Sequence, residues 1–159
     1  MSKEEVVHST FTIERTFPVP PARVFEAFAD SSKKRRWFRD DNERAESFAA
    51  DFRVGGSEKS RFRFEGNAPG APPAGTLMGN DTVYVDIVEN ERIVFAYVML
   101  VGDRRMSASL ATIVLEPAGK GTRLVFTEQS AFFGASDGPK LRKEGWTGLF
   151  EKLERALAA

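Results

Sequence analysis

The sequence contains no cysteine. That excludes disulfides, thiol nucleophiles and thiolate metal ligands together. It contains one histidine, His8, close to the start of the chain. Around a lone imidazole so placed, neither a Ser/His/Asp set nor a metal site assembles, so no metal and no cofactor are expected. An excess of charge of either sign is also missing, because 23 basic residues balance 23 acidic ones. A nucleic-acid binder normally carries a dominant basic face, so nucleic acid is not an expected partner. No apolar run is as long as a membrane span, and the opening MSKEEVVHST has no secretory hydrophobic region. Membrane insertion is therefore not expected, and a cytoplasmic location is.

Bulky apolar side chains are plentiful, with 14 phenylalanines in 159 residues. A chain of this length forms one domain, 1–159, and buries roughly 68–70% of its unfolded surface without a covalent staple. Residues 1–9 read as a mobile end.

The segment 10–17 (TFTIERTF) alternates, with Phe11, Ile13 and Arg15 on one side, and predicts a first strand. Pro18, Pro20 and Pro21 stop it, and Pro21 suits the first turn of a short helix carrying Val24, Phe25 and Phe28. A second short helix follows, capped by Ser31 or Ser32 and running through Lys33–Arg36 to Trp37 and Phe38. The basic run 33–36 reads as a solvated helix face.

Strand patterns then succeed one another. A weak one covers 45–51, the Arg53-Val54-Gly55-Gly56 turn follows, and 57–65 alternates Phe62 and Phe64 against Arg61 and Arg63. Four more cover 82–88, 92–101, 106–116 and 122–132, joined by short hairpin-like links. The Gly66–Gly75 segment (GNAPGAPPAG) is long for a connection and reads as a flap; without a following Lys-Ser/Thr it is no phosphate cradle. Ile93 to Leu100 is apolar on both faces, which fits either cover on its outer side by a loop or a second subunit, or a central strand with a greasy outer face. A homodimer is one way to supply such cover.

Last comes a helix over 139–159. Trp146, Leu149, Phe150, Leu153 and Leu157 recur at the spacing of one apolar face, with Gly145 and Gly148 beside them. About 20 helical residues span about 30 Å. Laid across a single curved sheet, such a helix leaves room for a cavity. The fold class is thus α+β: one antiparallel sheet of about six or seven strands, two short helices after the first strand, and a long C-terminal helix.

The chain resembles START-like (helix-grip) proteins of the SRPBCC superfamily. More narrowly it is similar to the activator of heat-shock-protein-90 ATPase homologue-like group. The resemblance rests on FTIERTFPVPPARVFEAFADSSKKRRWF, Arg53-Val54-Gly55-Gly56, Arg92-Ile93-Val94-Phe95, Gly121-Thr122-Arg123-Leu124, and Gly145-Trp146 with Leu149 and Leu153. It implies a sheet that grips the long helix around a mainly apolar cavity. It also implies one of three roles: binding of an apolar small molecule, a cyclase- or dehydratase-like activity, or regulation of a chaperone ATPase.

The leading expectation is a small apolar ligand held by Trp37, Phe38, Phe62, Phe64, Phe95, Tyr97, Trp146 and Phe150. Tyr97 stands out because a buried hydroxyl needs a partner. Glu128 continues the face of Leu124 and Phe126, and Asp86 shares a face with Tyr84. If these faces point inward, burial raises the carboxyl pKa, as general acid–base work requires. Glu128 and Tyr97 are the catalytic candidates should the protein be an enzyme.

Overall fold

Alternation and proline breaks place the first elements. The computed structural model describes residues 5–39, 43–66, 69, 71–134 and 136–158. Strand β1 (Val6–Phe17) ends at Pro18, and helix α1 (Pro21–Ala29) starts with proline in its first turn. Helix α1 buries Val24, Phe25, Ala27 and Phe28. Helix α2 (Ser31–Trp37) is capped by Asp30 rather than by either serine. The Asp30 carboxylate accepts from the Ser32 and Lys33 amides at 2.9 and 3.2 Å, satisfying donors that have no partner inside the helix. β1 begins earlier than 10, so His8 is an exposed strand residue opposite Ala131 and not part of a free end.

Six further strands run as a meander: β2 (Glu43–Ala50), β3 (Ser57–Phe64), β4 (Leu77–Val88), β5 (Arg92–Val101), β6 (Arg104–Ala118) and β7 (Gly121–Phe133). With β1 added beside β7 they form one antiparallel sheet in the order β1-β7-β6-β5-β4-β3-β2. The tight β5–β6 hairpin turns on Gly102, whose φ of 63° is left-handed. β4 starts before 82 because Gly79 lets it approach β3. A Cβ there would lie 2.2 Å from the Ser60 carbonyl oxygen. Of the 66–75 connection, residues 67, 68 and 70 lie outside the described residues, so the flap reading falls in part outside them.

Helix α3 (Gly138–Ala158) crosses the concave face and buries Arg142, Trp146, Phe150, Leu153 and Leu157. Its backbone comes close to β1, α1 and α2. There the core is solid: Phe17, Val24, Leu124, Phe126, Phe150 and Leu153 are fully buried. Trp37 seals the α1–α2 corner, edge-on to Phe28 at 5.0 Å with its Nε1 donating to the Ala27 carbonyl at 3.0 Å. All three helices share this face of the sheet. On the opposite face Val94, Ala96 and Val98 of β5 are half-buried, flanked by exposed Val83, Val85 and Leu110.

Candidate functional site

The hollow lies on the other half of the concave face. Between α3 and strands β3–β5 is a cavity of about 340 Å³. Its sheet wall is built by cross-strand register. Glu58, Thr82 and Tyr97 are aligned across β3, β4 and β5, and Ser60, Asn80 and Met99 form the next row. Phe62, Phe95, Phe38 and Trp146 add aromatic wall. Along α3 the lining runs through Leu141, Gly145, Gly148, Leu149 and Lys152, one face round from the buried stripe. A Cβ at Gly145 or Gly148 would meet no atom within 4 Å, so neither glycine is there for close packing. Exposed Arg39, Leu141, Glu144 and Glu151 mark the mouth.

Two buried carboxylates stand beside this space. Glu128 on β7 is fully enclosed. Its Oε1 accepts from the Tyr97 hydroxyl and from Trp146 Nε1 at 3.1 Å. Its Oε2 accepts from the Ser130 hydroxyl at 2.9 Å and faces Arg142 Nη1 at 3.7 Å. Tyr97 is equally saturated, since its oxygen donates to Glu128 and accepts from Arg142 at 3.2 Å and Trp146 at 3.1 Å. Arg142 gives its remaining N–H groups to Ser107, Ser109 and both oxygens of Asp137. Burial pushes the Glu128 carboxyl above its ordinary range, against the pull of Tyr97, Arg142, Ser130 and Trp146. Burial also raises the Tyr97 hydroxyl, opposed by Arg142 and helped by Glu128. Desolvation works against the Arg142 charge, but Tyr97, Asp137 and Glu128 around it hold the guanidinium firmly protonated.

Glu58 on β3 is the second carboxylate, 1% exposed. Lys34 Nζ lies 2.6 Å from its Oε1, and the Tyr84 hydroxyl donates to that same oxygen at 2.8 Å. Burial first, then Glu58, raises the Tyr84 hydroxyl strongly, so it stays a donor. The Lys34 ammonium also lies 4.4 Å from the Phe38 ring centroid. Lys34 thus corrects the reading of 33–36 as a wholly solvated face. Its stem turns inward at one helical position while Lys33, Arg35 and Arg36 stay outside.

Of the eight residues expected to line a pocket, Phe38, Phe62, Phe95, Tyr97 and Trp146 border the cavity. Trp37, Phe64 and Phe150 are not in its lining. Trp37 is committed to the α1–α2 corner, and Phe150 packs edge-on to Phe126 at 5.3 Å. Phe64 sits at the end of β3, against Gly66. Glu128 does face inward, but behind Tyr97 and Trp146 rather than in the wall. Asp86 does not. A β-bulge between Tyr84 and Asp86 breaks the alternation, and Asp86 pairs outside with Arg92 at 2.6 Å.

Sequence reasoning passed over Glu58, Ser60, Asn80, Thr82, Ser107, Ser109, Ser130 and Arg142. The signal was their phase. Glu58 and Ser60 alternate with Phe62, Ser109 with Ala111 and Ile113, and Asn80 and Thr82 with Tyr84, all on the inward side. Arg142 stands one turn before Trp146 on the buried stripe.

A curved antiparallel sheet closed over a long C-terminal helix, with an internal cavity, defines the helix-grip class of the SRPBCC superfamily. Residues 18–158 match the family described as Activator of Hsp90 ATPase homolog 1-like protein, and the chain belongs to that family. A crystal structure of a protein from Rhizobium loti is 48% identical, with a TM-score of 0.84, the alignment covering 96% of this chain and 99% of that one. A protein from Rhizobium leguminosarum is 37% identical, with a TM-score of 0.86 and 97% of both chains covered. A third, from Chromobacterium violaceum, shares the fold at 22% identity, with a TM-score of 0.78 over 94% of this chain and 97% of that one. The sequence has no significant match among curated proteins. Among the described residues no helix is long and apolar enough to cross a membrane.

Proposed function

We propose that the protein binds a small, largely apolar molecule in the cavity between α3 and strands β3–β5. The observation that carries this reading is the open space itself, on the half of the concave face where the α3 backbone stands off the sheet. At about 340 Å³ it falls within the ~300–1,000 Å³ span of ligand pockets. Aromatic wall and a few fixed polar groups are the usual composition of such sites. Affinity would come from apolar burial at ~25 cal/mol per Å², less the cost of ordering the ligand.

Proton transfer by Glu128 or Tyr97 is the weaker reading. Every hydrogen-bonding position on the Tyr97 oxygen is occupied, and Glu128 does not reach the cavity wall. A role on a chaperone ATPase would rest on the family's description alone and draws nothing from this cavity.

The two tryptophans separate the signal, because Trp146 borders the cavity and Trp37 is sealed away from it. Lipids, sterols and aromatic polyketides titrated into the protein are expected to change Trp146 emission and raise the melting temperature. A panel that leaves both unchanged at high concentration would sink the binding reading.

A further inference from the structure

The two buried carboxylates differ in what they leave unused. Glu128 has both oxygens engaged. On Glu58 both hydrogen bonds fall on Oε1, and Oε2 takes none from the described residues. Glu58 is nevertheless 1% exposed, and it belongs to the cavity wall. Because Glu58 is in the cavity wall, this free oxygen is the one that a donor carried by a ligand would meet.

The neighbours narrow the ligand's chemistry. Lys34 already balances the Glu58 charge at 2.6 Å, so a cationic group would lose its hydration without meeting net negative charge. An anion would face a carboxylate. The buried cation in the wall, Arg142, offers an anion nothing, since its N–H groups are committed to Asp137, Tyr97, Ser107 and Ser109. A neutral hydroxyl suits both sides. It donates to Glu58 Oε2, and its oxygen can accept from Ser60 or Thr82, which are within one residue pair of Glu58 on the same wall.

We propose that Glu58 is the specificity-determining residue of this cavity, and that it selects a neutral alcohol or phenol hydroxyl carried on an apolar, aromatic-compatible body. The proposal rests on the cavity-binding reading above. In this arrangement Lys34 and Tyr84 are positioning residues: they hold Oε1 so that Oε2 points at the ligand.

β-Naphthol, its methyl ether, β-naphthoate and β-naphthylmethylammonium share one apolar body and differ in the group presented to Glu58. Binding is read by Trp146 fluorescence and calorimetry. β-Naphthol is expected to bind about tenfold or more tighter than each of the others, the gain of a buried hydrogen bond to a charged acceptor. In Glu58→Gln that advantage over the methyl ether falls to about threefold or less, while the ether's own affinity stays the same. Should Glu58→Gln not fold, the ligand series on the unaltered protein still decides. Equal binding of naphthol and its ether, or tighter binding of the naphthoate or the ammonium, overturns the Glu58 assignment while leaving the cavity reading intact. If none of the four binds, the cavity reading falls and the assignment falls with it.

Discussion

Glu128 and Glu58 rise from the same concave sheet and are equally buried, yet they stand in opposite situations. Glu128 lies where α3 packs down, and Tyr97, Trp146, Ser130 and Arg142 close over both of its oxygens. Glu58 lies where α3 stands off, tied down on one oxygen and open on the other. A fully satisfied buried network fixes architecture, whereas a partly satisfied one beside a hollow is equipped for recognition. The same distinction divides the tyrosines. Tyr97 spends its hydroxyl on both the network and the helix, and Tyr84 spends its own on positioning Glu58.

The largest effect that would break this comparison comes from removing each carboxylate. Glu128→Ala leaves Arg142 without one of its two carboxylates and strips an acceptor from Tyr97 and Trp146. It is expected to cost about 3–5 kcal/mol in urea unfolding. By contrast, the paired change Lys34→Met with Glu58→Gln removes both charges of the second cluster together. It is expected to stay within about 1 kcal/mol of the starting protein, because no lone buried charge is left. If the two variants lose stability equally, the division into architecture and recognition is wrong.

A smaller effect follows from pH. Burial raises the folded-state carboxyl of Glu128 above its ordinary 4.5. A raised carboxyl binds its proton more tightly folded than unfolded. Its contribution is therefore most favourable below 4.5 and declines as pH climbs through the raised value. The stability of the unaltered protein minus that of Glu128→Gln should accordingly fall as pH rises from 4.5 upward. A difference that grows over that window would show that Tyr97, Arg142, Ser130 and Trp146 outweigh burial.

The smallest effect tests the hollow side of α3. With open space around its Cβ position, Gly145→Ala should raise stability by about 1 kcal/mol, the helix preference of alanine over glycine. A loss of stability would mean that the helix sits closer to the sheet than the cavity requires.

Much of this architecture was legible beforehand, for physical reasons that can be named. Period-two alternation at 57–64 and 92–101, the prolines after Phe17 and the Trp146-Phe150-Leu153 spacing each report a local preference that the fold merely accepts. The site was less legible. Trp37 and Phe150 have the composition of pocket lining but pack solidly, because α1 and β7 fill the space beside them. Glu58, Asn80 and Thr82 have the composition of solvent-facing strand residues but line the interior. Alternation says which residues share a face, not whether that face meets packing atoms or a void. The bulge at Asp86 reversed even that information over one strand pair.

Local pattern by itself determined the order of elements, the antiparallel sheet and the buried stripe of the final helix, because periodicity and turn chemistry act over a few neighbouring residues. Only the tertiary structure decided that the α3 backbone seats against β1 and stands off β3–β5, reaching β5 through the side chains of Arg142 and Trp146. It also decided that Lys34 turns inward to meet Glu58, and that one carboxylate is sealed while the other keeps an oxygen for a guest. These outcomes depend on contacts between residues 18 to 139 positions apart, such as Arg15 with Glu154, Lys34 with Glu58 and Trp146 with Glu128, whose geometry no local preference encodes.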